Sequence, residues 1–339
     1  MHVQLRQTPR HRQALPPPRS QRGALRATPK RWRSLAGDGG RDDETFAAGG
    51  TRTALACAYL ASPALPPPMD LLLVRSLWGV EAPWGEALPA FRAAGYGAVE
   101  APLPPPGEDE RLADLAAHHG LAFVPMVFTE GATPGEHRVS FEAQLARAAA
   151  LGPLLVTSHS GRDGWSEDDA DAFFAHALAL EAALGVDVAH ETHRGRVFYT
   201  PWTTARALAA HPALRLCCDF SHWVCVCERL LDDQSAALAL AATRCLHLHA
   251  RVGFEEGPQV PDPRAARYAA HLAAHEAWWD GVWDAQAARG AVRTTLTPEY
   301  GPPPYLHTDP RTGAPLANLA EVCDWQAARA ARRFAARPR

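Results

Sequence analysis

The feature that most constrains the fold is a repeated alternation of short apolar runs and longer stretches rich in Ala and Leu. The short runs have the length of buried strands, and the longer stretches have the spacing of helices that cover one face of a sheet. Eight such units in sequence predict an α/β fold, a (β/α)8 TIM barrel, with a doubly wound open sheet as the alternative. The strand-like runs lie at 71–74, 96–99, 121–127, 154–157, 186–189, 214–218, 245–248 and 292–296.

Each strand-like run is followed by a segment with helical periodicity. The clearest helix start is Ser166, because three acidic residues follow it and favour the first turn of a helix. The predicted helices lie at 88–94, 108–119, 141–151, 167–184, 203–210, 228–243, 264–289 and 316–336.

The first 68 residues differ in composition from the rest of the chain. They contain eleven basic and four acidic side chains, two Pro-Pro-Pro runs and no sustained apolar period. Such a segment does not bury enough apolar surface to offset its ordering entropy, so residues 1–68 are predicted to be a disordered basic extension. A targeting peptide and a basic arm are possible interpretations. The favoured one is an upstream read-through, with the functional start at Met69 and a catalytic barrel over 69–339.

Charge and composition exclude several functions. Residues 69–339 carry a net charge of −10, so they offer no general basic surface for nucleic acid. The sequence has no apolar run of about 18 residues that would span a membrane. Lys30 is the only lysine, which argues against Schiff-base, pyridoxal and P-loop chemistry in the barrel.

The chain has seven cysteines, an odd number, and no signal peptide, which favours a reducing, cytoplasmic location. Cys217, Cys218, Cys225 and Cys227 raise the possibility of a zinc site. Their spacing departs from the two separated pairs of a structural zinc site, so buried core residues are the favoured interpretation.

Four residues with metal-ligand side chains stand where apolar runs end: Glu191, Asp219, His249 and Glu299. The carboxyl ends of barrel strands meet at one mouth, so we expect these side chains to converge. Crowded carboxylates are costly without a cation, and a mixed oxygen and nitrogen set suits Mn2+, Co2+, Mg2+ or Zn2+. The sequence therefore predicts one divalent metal ion without choosing among these four.

Together with His222, three positions after Asp219, and Arg251, this series resembles the sugar phosphate isomerase/epimerase family, the xylose isomerase-like TIM barrels. The resemblance covers about 71–336. It implies that Glu191, Asp219, His249 and Glu299 bind one divalent metal ion. It also implies that Glu191 and Glu299 move protons as an acid/base pair, and that His222 contacts a substrate oxygen.

The predicted reaction is isomerisation or epimerisation of a sugar or sugar phosphate by proton transfer through an enediolate. Hydride transfer is less favoured, because His193 stands where the resemblance to true xylose isomerases would require a lysine. The alternatives are a lyase or dehydratase acting on a polyol or keto acid, an abasic-site endonuclease and a non-catalytic binding barrel. The endonuclease would need about nine ligands and a basic face, and the charge of −10 argues against it.

Further polar residues are predicted near the mouth. His159 is a candidate for lining the pocket of a small sugar or polyol, with hydrogen bonding in its loop as the alternative. Arg194, Arg196 and Arg251 could hold a substrate phosphate or carboxylate, or could instead pair with Glu255, Glu256 or Asp262. Glu100 could reach the pocket or cap a loop. His247 is predicted to lie one layer below His249 and to orient it. The sequence leaves open whether the protein forms a homo-oligomer.

Overall fold

The computed structural model describes residues 69–337. The extension 1–68, which was predicted to be disordered, lies outside the described residues. The strands are β1 Asp70–Ser76, β2 Ala98–Pro102, β3 Ala122–Phe128, β4 Val156–His159, β5 Val188–Glu191, β6 Leu216–Cys218, β7 Cys245–His249 and β8 Arg293–Thr297. The helices are α1 Trp84–Ala93, α2 Glu108–His118, α3 Pro134–Ala150, α4 Glu167–Leu184, α5 Pro201–Ala210, α6 Phe220–Cys227, α7 Ser235–Arg244, α8 Ala269–Ala288 and α9 Leu319–Ala335.

The eight strands form a closed parallel barrel in the order of the chain, with β1 paired to β8. Alternate side chains point into the barrel, where Val74, Ala98, Val124, Ala189 and Cys217 form an apolar interior. The other face of each strand packs against the helices. The predicted TIM barrel is therefore confirmed. By the same alternation, the side chains of Glu191 and His249 point inward at the carboxyl ends of their strands, so both lie at the same mouth.

Several strands begin about two residues later than their apolar runs. The run at 96–99, for example, precedes a strand that starts at Ala98, and the run at 214–218 precedes one that starts at Leu216. Tyr96 and Leu214 are nevertheless buried, because Tyr96 packs against Phe91 of α1 and Leu214 belongs to the large apolar cluster that contains strand and helix residues. An apolar run predicts which residues are buried, but the bounds of a strand depend on its backbone hydrogen bonds to the neighbouring strands.

The predicted helix at 228–243 is confirmed from Ser235 onward, as α7, but its predicted start was wrong. A short helix, α6, begins directly after Asp219, whose carboxylate accepts the backbone N–H of Ser221 as an N-cap. Glu228 ends this helix in a left-handed conformation, with φ of 52°, and α7 starts only at Ser235. Both faces of α6 are buried, so its sequence has no polar side from which a helical period could be detected.

The last two helices are joined by a ladder of ion pairs. Arg329 contacts Glu276, Arg333 contacts Asp280, and Arg337 contacts Asp284. The spacing of four residues on both helices places the three pairs one turn apart. This α8–α9 ladder fixes the closing helix on the outside of the barrel.

Within residues 69–337, no helix is both long and apolar enough to cross a membrane.

Candidate active site

The barrel mouth brings the four predicted ligands together. Glu191 ends β5, Asp219 follows β6, His249 ends β7, and Glu299 stands two residues beyond β8. All four are at most 4% exposed. One ligand atom from each lies within 4.8 Å of the corresponding atoms of the others, so the arrangement is compact enough to surround a single ion.

The contacts inside this cluster fit the ligands of a cation. The His249 Nδ1 atom lies 2.9 Å from Glu299 Oε2 and 3.3 Å from Glu191 Oε1. Glu191 Oε2 lies 2.5 Å from His159 Nε2, and neither atom makes a further hydrogen bond within the described part of the chain. Burial, and then the charges of Glu299 and Glu191, raise the pKa of Asp219 to about 6 against the opposing charge of Arg251. Three crowded carboxylates and one imidazole nitrogen are a donor set that a divalent ion would satisfy.

Glu100, at the inner side of β2, supports His249 from behind. Its two carboxylate oxygens lie 3.0 and 3.1 Å from His249 Nε2, and it accepts hydrogen bonds from Thr157 at 2.9 Å and Thr297 at 2.6 Å. Burial lowers the pKa of His249, but the surrounding acidic groups outweigh burial and raise it, so both ring nitrogens can carry protons. A carboxylate that accepts the Nε2 proton would leave the Nδ1 lone pair to a metal ion once the Nδ1 proton is lost. Glu100 therefore determines which nitrogen of His249 faces the other three ligands.

The prediction that His247 orients His249 was wrong. His247 hydrogen-bonds the hydroxyls of Thr295 at 2.7 Å and Thr297 at 2.9 Å, and its Nε2 atom lies 3.5 Å from Glu100. It lies one layer deeper, as expected from the strand parity, but the group that contacts the outer nitrogen of His249 is Glu100.

Arg251 is the only arginine that makes ion pairs inside the cluster, among residues 69–337. Its Nη2 atom lies 2.5 Å from Asp219 Oδ2 and 2.8 Å from Glu299 Oε2, and it also contacts His222 Nε2 at 3.2 Å. Burial lowers the pKa of Arg251, but Asp219 and Glu299 outweigh burial and raise it above its ordinary value. The other terminal nitrogen, Nη1, has no partner in the described residues, and the side chain lines the cavity.

Three histidines stand beside the cluster. The ring of His193 lies 3.8 Å from that of His222 and 4.7 Å from that of His159, measured between ring centroids. Burial lowers the pKa of His193 to about 3 and holds that of His222 well below its ordinary range. Both rings are neutral at pH 7 and can accept as well as donate hydrogen bonds. His193 was not predicted to contact a substrate, because no pattern in its neighbourhood shows how the loop after β5 folds back.

A cavity of about 320 Å3 opens above the cluster. The predicted contact residues His159, Arg196 and Arg251 line it, whereas Arg194 is exposed and lies 5.1 Å above the ring of Tyr305. His222 is buried next to His193, with its Nδ1 atom unpartnered in the described residues. The cavity walls are mostly apolar. The wall residues come from the ends of β2 and β3 and from the segments after β1 and β8, so no single stretch of sequence groups them: Trp78, Pro102, Met126, Phe128 and Tyr305.

The cysteine cluster does not converge. Cys217 faces the barrel interior, and Cys218 packs in the helix layer outside it. The two adjacent thiols therefore point to opposite sides of β6, which agrees with their interpretation as core residues.

The closed barrel and the ligand cluster at its mouth define a class of TIM-barrel proteins with the side chains for a metal centre at the carboxyl ends of the strands. The chain belongs to the xylose isomerase-like TIM barrel family, whose sequence profile matches residues 88–295. The family resemblance predicted from the sequence is confirmed. None of the functionally curated proteins matches the sequence significantly.

Solved structures of similar fold include a xylose isomerase-like TIM barrel protein from Mycobacterium smegmatis in complex with magnesium. It is 12% identical, with 79% of this chain and 96% of that chain covered and a TM-score of 0.52. The 3-keto-D-glucoside 4-epimerase of E. coli is 12% identical over 78% of this chain and 99% of its own, with a TM-score of 0.50. A sugar phosphate isomerase/epimerase from Parabacteroides distasonis is 12% identical over 78% and 95%, again with a TM-score of 0.50. At these identities the likeness shows the fold.

Proposed function

We propose that the chain is a divalent-metal-dependent sugar isomerase or epimerase that works by proton transfer. The observation that carries the proposal is the convergence of Glu191, Asp219, His249 and Glu299, buried at the floor of a cavity of about 320 Å3. The epimerase and isomerase among the structures of similar fold agree with this proposal.

Glu191, Asp219, His249 and Glu299 would hold the metal ion. When bound, such an ion polarises a carbonyl oxygen and so acidifies the neighbouring C–H bond. The His249 Nδ1 atom faces the carboxylates because Glu100 holds the opposite nitrogen, so this ligand is oriented by the protein itself. The residues do not choose among Mn2+, Co2+, Mg2+ and Zn2+.

Two carboxylates are available to move the proton. Glu299 lines the cavity, and Glu191 borders it through its contact with His159. One of them removes a proton from the carbon beside the substrate carbonyl, and the other returns a proton to the substrate. Arg251 offers its unpartnered Nη1 to a substrate oxygen, and the neutral His193 and His159 can contact the neighbouring hydroxyls.

The cavity favours an unphosphorylated sugar over a sugar phosphate. Arg251 is already paired with Asp219 and Glu299, and Arg196 donates its Nη1 atom to the carbonyl oxygens of Thr129 and Gly161. The remaining arginine, Arg194, is exposed. The apolar walls suit the C–H faces of a sugar ring, which pack well on aromatic side chains.

The proposal is tested by metal analysis followed by turnover in deuterated water. We expect about one divalent ion per chain after loading with Mn2+ or Co2+, lost in Asp219→Asn. Proton transfer exchanges with solvent, so the product of an unphosphorylated ketose should carry deuterium at the reacting carbon. Failure to bind any divalent ion would refute the proposal, transfer without solvent deuterium would refute the proton route, and loss of water from the substrate would identify a lyase instead.

Residues 69–339 are proposed to form the catalytic domain. The elements of the barrel begin at Asp70, directly after Met69, and the ligand cluster is assembled from residues 191–299. A chain that starts at Met69 should therefore match the full chain in metal stoichiometry and in thermal midpoint. A loss of either would assign a role to residues 1–68.

A further inference from the structure

A second opening lies outside the barrel, on the side of α1 and α9. It is a cleft of about 920 Å3 between residues 79–91, which carry α1, and residues 302–320, which connect β8 to α9. None of the four candidate metal ligands lines this α1–α9 cleft. The cleft is therefore separate from the site of the proposed reaction.

The unusual residue in this cleft is Arg75, on the outward face of β1. The side chain is 4% exposed, and its guanidinium carbon lies 5.3 Å from the centre of the Phe91 ring and 6.0 Å from that of Tyr96. Across residues 69–337, no carboxylate lies within ion-pair distance of it, and its Nε atom has no hydrogen-bond partner. The nearby carboxylate of Asp324 instead accepts the hydroxyl of Tyr96 at 2.9 Å. A buried cation without a counter-charge is costly, so an anion supplied from the cleft would stabilise it.

The start of α9 supplies a second, independent group of donors. The helix has 17 residues, and its N-cap Asn318 accepts the backbone N–H of Glu321 at 3.1 Å. The backbone N–H groups of Leu319 and Ala320 have no acceptor in the described chain, and both residues line the cleft. Free N–H groups and the helix dipole make such an end favourable for an anion.

The surroundings limit the charge and shape of that anion. Glu81 and Glu86 are exposed and also line the cleft, so their charges oppose a dianion such as phosphate more strongly than a monoanion. Val80, Leu306 and Leu319 provide apolar walls beside Arg75. A planar carboxylate matches the guanidinium fork, and an apolar body matches these walls.

We propose that the α1–α9 cleft binds a small monocarboxylate with an apolar body, held by Arg75 and the amino end of α9. Benzoate is a suitable probe, and benzamide is its matched neutral analogue. In a calorimetric or NMR titration of the full chain, benzoate should bind saturably and benzamide at least about tenfold more weakly, because charge-assisted hydrogen bonds to the carboxylate are lost.

Variants locate the site. Arg75→Gln should abolish benzoate binding. Arg111→Gln should leave it unchanged, because Arg111 is on α2, where it lies over the ring of Trp84, and it does not line the cleft. If Arg75→Gln does not fold, Ala90→Trp offers a second test, since Ala90 is exposed on α1 and a large side chain there would fill the cleft.

Three results would overturn the proposal. The first is the absence of saturable benzoate binding to the full chain. The second is equal binding of benzamide, which would show that no anion is recognised. The third is benzoate binding that survives in both Arg75→Gln and Ala90→Trp, which would place the ligand elsewhere and leave Arg75 as a packing residue.

Discussion

Two sets of ion pairs in this barrel differ mainly in their contact with water. At the mouth, Arg251 is fully enclosed with Asp219 and Glu299. On the outside, the α8–α9 ladder pairs side chains such as Arg333 and Asp280, which are 37% and 31% exposed. Water screens the outer pairs and would solvate either partner if the other were removed, whereas a buried charge that loses its partner stays unsolvated.

The two sets of ion pairs also differ in what they contribute to stability and to function. The ladder repeats one contact along two helices, so each pair can be lost with a small local effect. The mouth assembles acids that repel one another, and it requires Arg251, and in the proposed function a divalent ion, to hold them together. Such a concentration of buried charge lowers the stability of the fold, and we attribute its presence to the chemistry of the site.

The largest effect is expected for Arg251→Met, which removes the positive charge and keeps most of the volume. Asp219 then remains buried without a cationic partner and Glu299 keeps only His249, so the free energy of unfolding of the metal-free protein should fall by about 3–5 kcal/mol. Urea unfolding at pH 7 measures this loss. Arg196→Met is the matched control, since Arg196 also lines the cavity but donates to carbonyl oxygens, and it should lose only about 1 kcal/mol. Equal losses in the two variants would show that the buried ion pairs of Arg251 do not account for the loss of unfolding free energy.

The next effect concerns a buried histidine without any acidic partner. His275 on α8 accepts the backbone N–H of Gly253 at 3.2 Å, and burial lowers its pKa to about 4. The unfolded chain binds a proton near pH 6.5 and the folded chain does not, so the stability contribution is present above pH 6.5 and is lost as the pH falls toward 4. The loss should reach about 3 kcal/mol.

His275→Gln tests this assignment, because glutamine does not titrate. Unfolding free energies measured between pH 7 and pH 4 should fall less steeply in His275→Gln than in the parent protein. His211→Gln is a control on a half-buried histidine that already pairs with Asp171. Parallel pH profiles for the parent and His275→Gln would show that His275 is not a source of the acid sensitivity.

A third effect is expected for Glu100→Gln, which removes the charge behind His249. The affinity for Mn2+ or Co2+ should fall by about 10–100-fold, because His249 loses the carboxylate that fixes its tautomer and orientation. Isothermal titration of the metal measures this directly and does not depend on turnover. Glu255→Gln is the control, since Glu255 contacts His271 at 2.9 Å in another glutamate–histidine pair, away from the mouth. An unchanged metal affinity in Glu100→Gln would show that Glu100 does not contribute to metal binding.

The sequence predicted the barrel and the four mouth residues because both depend on local signals. Apolar runs mark what is buried, and a polar residue at the end of a run marks the mouth. The contact between Glu100 and His249 joins residues 149 positions apart, and no local pattern pairs them. Only the closure of β2 against the far side of the barrel interior brings that carboxylate to the imidazole.

The loops limited the prediction in the same way. Arg194 and Arg196 were equal candidates for the pocket from sequence, since they differ by two positions. Gly195 between them has a φ of 75°, which only glycine adopts without strain, and this turn leaves Arg194 exposed while Arg196 returns over the cavity. Which arginine points inward is decided by that turn and by the carbonyl oxygens that receive Arg196.

The smallest effect is expected in the outer ladder. Arg333→Gln removes the contact to Asp280 at 2.6 Å and the longer contact to Glu276 at 3.4 Å. Water can solvate the partly exposed Asp280, and the buried Glu276 keeps its ion pair with Arg329. The free energy of unfolding should fall by less than about 1 kcal/mol, and the difference should shrink in roughly 1 M salt, where charges are screened within a few ångströms. Urea unfolding at low and high salt measures both statements, with Asp280→Asn and the double variant completing a cycle. If Arg333→Gln instead costs as much as Arg251→Met, burial does not distinguish the two sets of pairs, and the ladder is a main support of the barrel.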